Sequence, residues 1–410
     1  MRDFAKLDIL LRAAFILALI ALFGIVVRYV AYSFESPVPA AFSNKDFANY
    51  WIAGQLVLEG QSADLFGSHP LYFRHLTEAF GADYPWHSWS YPPHYLLLVW
   101  WTGYFGYGVG LAVFMAVTGA LFIYATKAFV GRMDLCVVAM VLPFAVCNLW
   151  AGQNGFLTAA LALGALALRA DRPVIAGVLL GLLTIKPQLG FLFPLLLFAE
   201  RRWMVIVSAG LTTLALIALS VLFYGVEAWN GYLATVLPYQ SEIMQKLEGS
   251  FLLMLTSFYG GLRNWGYDYS EAIVIHAALA IPALLATIYG FFAVKDPDHR
   301  SLLLLLGTFV ITPYALIYDL GMIAAAAAMI TIKRSHAAPP KDPLRYLMTI
   351  AAVLPLCAMS LSRAGVPAAP LILSLLYGYV FVASGALTRL KKQSGRTGME
   401  VRPSPAAMSD

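Results

Sequence analysis

The chain divides into long apolar runs separated by short polar turns and two longer mixed segments. Runs near 18 apolar residues or more can cross a ~30 Å hydrocarbon layer as helices. The first covers about 12–32 and leads into a mixed segment, 34–93. Tyr91-Pro92-Pro93 then starts a short apolar helix at about 94–103, followed by spans at about 104–126, 134–150 and 155–169. Residues 173–199 are apolar too, but Arg169 and Arg172 precede them and Arg201 and Arg202 follow. If both flanks share a side, the run folds back on itself. Lys186-Pro187-Gln188 marks the turn, because proline removes a helix donor and disfavours helix at the residue before it. A single kinked helix is the competing arrangement, and it reverses the charge bias of everything downstream. A span at about 203–224, the mixed segment 225–270 and a span at about 271–293 come next. Residues 301–332 repeat the arrangement of basic flanks around an apolar run, with Thr312-Pro313-Tyr314 and Tyr318-Asp319 at its middle. Spans at about 344–361 and 368–388 close the pattern. The expected fold is an all-α polytopic membrane protein of about twelve crossings, two short-helix hairpins included. Residues 1–388 are expected to form one transmembrane domain. Residues 389–410, rich in Ser, Gly, Pro and charge, are expected to be a disordered tail.

Composition and charge agree with this and orient it. A hydrophobic content of 60% with 12% charged residues excludes a soluble globule. The net charge of +5 is dispersed over short loops and the two ends, so it is no nucleic-acid footprint. Arg2, Lys6 and Arg12 precede the first span, and Arg389, Lys391, Lys392 and Arg396 follow the last. The positive-inside rule then puts both termini in the cytoplasm of a multi-pass inner (plasma) membrane protein, and the mixed segments 34–93 and 225–270 outside. The first run is expected to be retained as a span, since no small-residue cleavage site follows it. Cys136, Cys147 and Cys357 fall within apolar runs and read as small buried hydrophobes.

The polar positions with chemistry in them lie mostly outside. Segment 34–93 holds three histidines (His69, His75, His87), with His94 directly after it, and begins its helical part at Ser43-Asn-Lys-Asp46-Phe-Ala-Asn-Tyr50-Trp51. Ser43 and Asp46 have capping-box spacing; Phe47, Tyr50, Trp51, Gly54 and Leu58 then share a face, and Gly60 ends the helix. Such a helix is expected to lie in the membrane interface with Asp46 at its outer rim. By spacing alone, a carboxylate in a first helical turn is a cap and nothing more. Lys186 is different: a lysine at membrane depth is costly unless it faces protein or ligand, which makes it a functional candidate. Asp296-Pro297-Asp298 reads as a solvated turn, His299 as a loop residue and His276 as an interior one. There is no P-loop or Rossmann fingerprint, and the cytoplasmic loops are too short for a nucleotide-binding domain.

Asp46-Phe47-(x)2-Tyr50-Trp51-(x)2-Gly54, Gly60, Leu65-Phe66, Tyr91-Pro92-Pro93, Gly152-Gln153-Asn154 and Ala176-Gly177-(x)3-Gly181-(x)4-Lys186-Pro187-Gln188 together resemble glycosyltransferase family 87. Those enzymes are polyprenyl-phosphate-mannose-dependent mannosyltransferases of the membrane-embedded GT-C superfamily. The resemblance covers roughly residues 40–320. It implies transfer of a hexose, mannose favoured, from a polyprenyl phosphosugar to a hydroxyl of a glycolipid, polysaccharide or protein acceptor. It also implies inversion at the sugar, an extracytoplasmic site and an aspartate base. Asp46 is the residue it assigns to that role, with Asp64 behind it.

Such a reaction needs groups that stabilise the leaving phosphate and hold the sugar. Lys186 heads the expected phosphate ligands. Gln188, Gln153, Asn154 and His94 are expected as donors to phosphate or sugar, and Tyr50 and Tyr91 as pocket walls. Tyr314 and Asp319 rank lower. Each has a plain structural alternative as a helix cap, a helix link or an interfacial aromatic. The outer segments show no carboxylate cluster with ligand spacing, so no metal or other cofactor is expected. The rival classes are a transporter or flippase for lipid-linked sugars, with its site between half-helices, and a non-catalytic scaffold for envelope assembly.

Overall fold

The computed structural model describes residues 9–32, 35, 38, 40–43, 45–246, 248–335 and 343–386. The expected tail 389–410 and the terminal charges Arg2, Lys6, Arg389, Lys391, Lys392 and Arg396 lie outside the described residues. Among those described, the chain is helical, with one isolated antiparallel bridge, Leu255 to Leu316. Five helices are long and apolar enough to cross a membrane: Ile9–Tyr32, Tyr107–Val130, Trp203–Lys246, Tyr269–Ala293 and Tyr346–Arg363. Helix is what lipid demands, because a spanning backbone must satisfy every N–H and C=O internally.

Helix α1 (Ile9–Tyr32) packs on α7 and leaves Ile9, Leu17, Ile20 and Phe23 exposed, an apolar face suited to lipid. The first mixed segment carries α2 (Ala40–Ser43), α3 (Phe47–Leu58) and α4 (His69–Phe80), and returns through the short α5 (Leu96–Val99). Then come α6 (Tyr107–Val130), α7 (Leu135–Ala151) and α8 (Gly155–Leu168). The run with Lys186 at its middle is α9 (Pro173–Leu183), α10 (Pro187–Gly190) and α11 (Phe193–Ala199). Helix α12 (Trp203–Gly231) breaks at Gly225, whose φ of 80° no helix interior contains, and the chain continues through α13 (Leu237–Lys246), α14 (Gly249–Leu253) and α15 (Phe258–Asn264). Helices α16 (Tyr269–Ala293), α17 (Pro297–Ile311), α18 (Gly321–Ser335), α19 (Pro343–Arg363) and α20 (Ala368–Ala383) complete the bundle.

Both expected hairpins fold back. Arg169, before the first, donates to Glu200, after it, at 2.9 and 3.2 Å, and also to Pro297 O at 2.9 Å. Arg202 and Arg300 lie 3.8 and 3.7 Å from the same Glu200 carboxylate. Lys333 at the end of α18 pairs with Asp298 at the start of α17, so the second hairpin also begins and ends at that face. One charged latch therefore ties the four hairpin ends together, and the two tips point the other way. Asp296, the remaining member of Asp296-Pro297-Asp298, caps α17 by accepting from Asp298 N at 2.9 Å.

The Gly177-(x)3-Gly181 pair sets the spacing of α9 against α12. A Cβ at Gly177 would stand 2.4 Å from the Ser208 Cβ, and one at Gly181 2.5 Å from the Thr212 Cβ. This is the close backbone approach that small residues permit between membrane helices. α17 and α18 form the buried centre, with Leu302–Leu306 and Ala324–Ala328 enclosed.

Two local expectations fail. Ser43 ends α2, Asp46 sits at the N-cap of α3, and the Asp46 side chain makes no cap hydrogen bond, so no capping box forms. Asp268 shows what one looks like, accepting from Glu271 N at 2.8 Å while Glu271 bonds back to Asp268 N. Nor does α3 bury only an aromatic stripe: Ala48, Asn49, Ile52, Ala53 and Leu56 are enclosed as well as Phe47 and Tyr50.

Candidate active site

The approach to Asp46 is held by four hydrogen bonds from distant elements. Tyr84 and Tyr107 donate to Ser43 O at 2.8 and 3.2 Å, Lys45 Nζ donates to Trp150 O, and Asp46 N donates to Ala151 O at 3.2 Å. The last two fasten the segment to the C-terminal end of α7. Gly152, in the left-handed conformation at φ 62°, turns the chain there into Gln153 and Asn154. On the other side, Thr102 donates to Tyr50 O at 2.9 Å and Tyr72 to Asn49 Oδ1 at 2.6 Å, which fixes α3 itself.

Gln153 is oriented by what surrounds its oxygen. Oε1 accepts from Tyr50 at 2.5 Å, from Asn154 N at 2.8 Å and from Tyr91 at 3.4 Å. The amide N–H2 is left to donate, and it favours the charged form of the Asp46 carboxyl. The Tyr50 and Tyr91 hydroxyls are themselves 2.8 Å apart. Tyr50, Tyr91 and Gln153 thus form a relay beside Asp46.

The hairpin tips meet beside this relay. Lys186 Nζ lies 2.9 Å from Asp319 Oδ1, both side chains nearly fully buried, and 5.2 Å above the centre of the Tyr318 ring. Asp319 Oδ2 also accepts from Leu316 N at 3.2 Å. The second mixed segment clamps that tip. Thr256 N donates to Ala315 O at 2.9 Å, Ile317 N to Met254 O at 3.0 Å and Ser257 Oγ to Pro313 O at 2.6 Å. Gly155 is required underneath, since a Cβ there would lie 1.9 Å from Tyr318 O.

Asp46 keeps some accessible surface although protein surrounds it. Burial raises its pKa above the usual carboxylate range. The His87 charge, the Gln153 hydrogen bond and the Lys186 charge each pull it back, and Asp319 pushes it up again. Tyr314 and Tyr318 lie close enough to interact with the Asp46 charge. Lys45, next in the chain, is brought down to about 8, first by burial and then by Arg28, with Asp46 opposing.

His94 stands at the first tip. Thr184 Oγ1 donates to Gly181 O at 2.6 Å, so its contact with His94 Nε2 at 3.2 Å makes the ring nitrogen the donor. Nδ1 then carries a lone pair, and it is buried without a partner among the described residues. Asn154 is similar: Nδ2 donates to Tyr95 at 3.1 Å while Oδ1 is buried and unpartnered. Both residues thus offer acceptors, where the sequence suggested donors, because neighbouring groups already use their N–H.

The structure gathers Asp46, Tyr50, Tyr91, Gln153, Asn154, Lys186, Tyr314 and Asp319, with His94 at the margin. Gln188 lies in α10 directly after the Lys186 tip; its side chain makes no hydrogen bond among the described residues, and its backbone O receives Thr312 Oγ1 at 3.5 Å. Asp64 is held elsewhere by His75 at 2.8 Å, and His276 bonds Ile311 O at 2.9 Å inside the bundle. Sequence reasoning missed His87 and Lys45 as neighbours of Asp46. Lys45 was adjacent in the chain; nothing in its spacing separated His87 from the other outer histidines.

An apolar helical bundle thus gathers a carboxylate, a buried ion pair and unpaired hydrogen-bond acceptors at one end. The family model of glycosyltransferase family 87 matches residues 89–317, more than half of the chain, and the chain belongs to that family. It is a glycosyltransferase. The match includes Tyr91, His94, Gln153, Asn154, Lys186 and Tyr314, and leaves Asp46, Tyr50 and Asp319 outside. No curated protein and no solved structure matches the chain.

Proposed function

We propose that this glycosyltransferase moves a hexosyl group, mannose favoured, from a polyprenyl phosphosugar to an acceptor hydroxyl at the extracytoplasmic face of the plasma membrane, with inversion. The observation that carries this reading is the Asp46 side chain. It occupies a helix N-cap without capping, and faces Gln153 and the Lys186–Asp319 pair instead.

In this reading Asp46 takes the proton of the acceptor hydroxyl as that oxygen bonds to the anomeric carbon. The bond from that carbon to the phosphate oxygen breaks, and the phosphate leaves with the electron pair. Gln153, whose amide favours the charged form, keeps the carboxylate ready to accept that proton. Lys186 stabilises the departing phosphate; its ammonium has three donors, of which Asp319 engages one. Asp319 positions Lys186, since a lysine at this depth needs a counter-charge. The acceptor atoms His94 Nδ1 and Asn154 Oδ1 suit sugar hydroxyls. The basic latch at the opposite end favours that end as cytoplasmic, with both termini there and the site outside. The donor reaches such a site through the bilayer, where nucleotide sugars are absent.

The test is purified protein in lipid with a radiolabelled polyprenyl phosphosugar and a panel of glycolipid, oligosaccharide and peptide acceptors. A new glycosidic product, lost in Asp46→Asn with the protein still folded, is the expected result. Label that crosses the bilayer with no product would make it a transporter of lipid-linked sugar and overturn the reading.

A further inference from the structure

We propose that an aromatic shelf beside Asp46, built jointly by the two outer segments, binds a carbohydrate portion of the acceptor. The proposal rests on the transferase reading above and specifies its acceptor class. His69 and Phe73 of α4, Trp86 in the loop beyond it, and Tyr239 of α13 make the shelf. His87, next after Trp86, packs against Tyr84 with ring centres 5.3 Å apart, and Tyr84 donates to Ser43 O at 2.8 Å, three residues before Asp46, so the shelf lies on the Asp46 side of the segment.

The arrangement has the two features that sugar rings require. The first is flat aromatic surface for their C–H faces. The Trp86 and Phe73 ring centres are 4.6 Å apart, His69 stacks on Tyr239 at 3.8 Å, and Trp86 remains 49% exposed. The second is polar atoms waiting for hydroxyls. Trp86 Nε1 donates to the Tyr239 hydroxyl at 3.0 Å, so the hydrogen of that hydroxyl points elsewhere. His69 Nε2 is buried without a partner among the described residues. A buried nitrogen left unsatisfied is costly, and a ligand hydroxyl relieves that cost. An aromatic belt at the membrane surface accounts for exposed rings but leaves these atoms unexplained.

The experiment uses the full chain in lipid nanodiscs with labelled polyprenyl phosphosugar, and mannose-, glucose- and galactose-terminated oligosaccharides as acceptor probes. Three quantities are read: acceptor KM, donor KM, and slow hydrolysis of the donor without acceptor. Trp86→Ala is expected to raise acceptor KM roughly tenfold, the worth of one aromatic stacking contact. Donor KM and hydrolysis stay as they are, Trp86→Phe restores most of the loss, and Tyr239→Phe raises acceptor KM on its own. An acceptor KM within about twofold of wild type in Trp86→Ala, with Asp46→Asn still abolishing transfer, overturns the shelf and leaves the transferase reading standing. Transfer only to acceptors that carry no sugar overturns it equally. Absence of both transfer and hydrolysis in the wild-type chain refutes the transferase reading and the shelf together.

Discussion

Lys186 and Asp319, 133 positions apart in the sequence, form a buried ion pair at 2.9 Å that joins the tips of the two folded-back hairpins. Breaking one side of such a pair strands a buried charge, at a cost of about 3–5 kcal/mol. Asp319→Leu and Lys186→Met should each lower the unfolding temperature of the purified protein in detergent sharply. The double variant should regain most of the stability and none of the transfer. Equal activity in the double variant and the wild type would show the pair to be structural only.

Asp46→Asn separates a cap from a base. Asparagine is as good an N-cap as aspartate, so if the carboxylate merely served α3 the change would be silent. As general base its loss should lower the transfer rate by about 10²–10⁴. Thermal unfolding should move little, because Asp46 makes no cap bond to lose. Rate and unfolding temperature measured on the same preparation decide it.

The pH profile carries the sign of the burial effect. Activity needs Asp46 ionised, and burial raises its pKa, so the acid limb should lie above the ordinary carboxylate range near 3.9. Gln153 donates to the charged form and pulls the pKa down. Its removal in Gln153→Leu should therefore move the limb to higher pH. A limb that stays in place would detach Gln153 from the base.

Two glycines on facing helices should respond oppositely. A side chain at Gly181 would overlap Thr212, whereas nothing lies within 4 Å of a Cβ at Gly210. Gly181→Val should destabilise the protein by about 1–3 kcal/mol by forcing α9 off α12. Gly210→Ala should be tolerated. Unfolding temperatures of the pair, with wild type as reference, test the packing.

Sidedness is open to chemical labelling. Lys186 and Asp319 are too buried for a reagent to reach. Ala82 and Arg201 are exposed, the first beside the shelf loop and the second beside the latch. In a background without the three native cysteines, Ala82→Cys should react with an impermeant thiol reagent added outside. Arg201→Cys should react only after the membrane is opened. The reverse pattern would invert the topology.

The apolar runs were legible because lipid leaves the backbone almost no choice but helix, and hydropathy alone then marks where the chain crosses. Basic flanks foretold that residues 173–199 and 301–332 fold back, since a charge at each end of an apolar run keeps both ends in water. Asp46 and Lys186 stood out by type and place. Tertiary structure alone decided that Asp46 leaves its cap role, that Lys186 finds Asp319, that Asn154 and His94 offer acceptors, and that His87 and Lys45 shape the field. Those facts depend on which neighbours already occupy each donor and acceptor. Such neighbours come from helices far apart in the chain, where spacing along the sequence carries no information about contact.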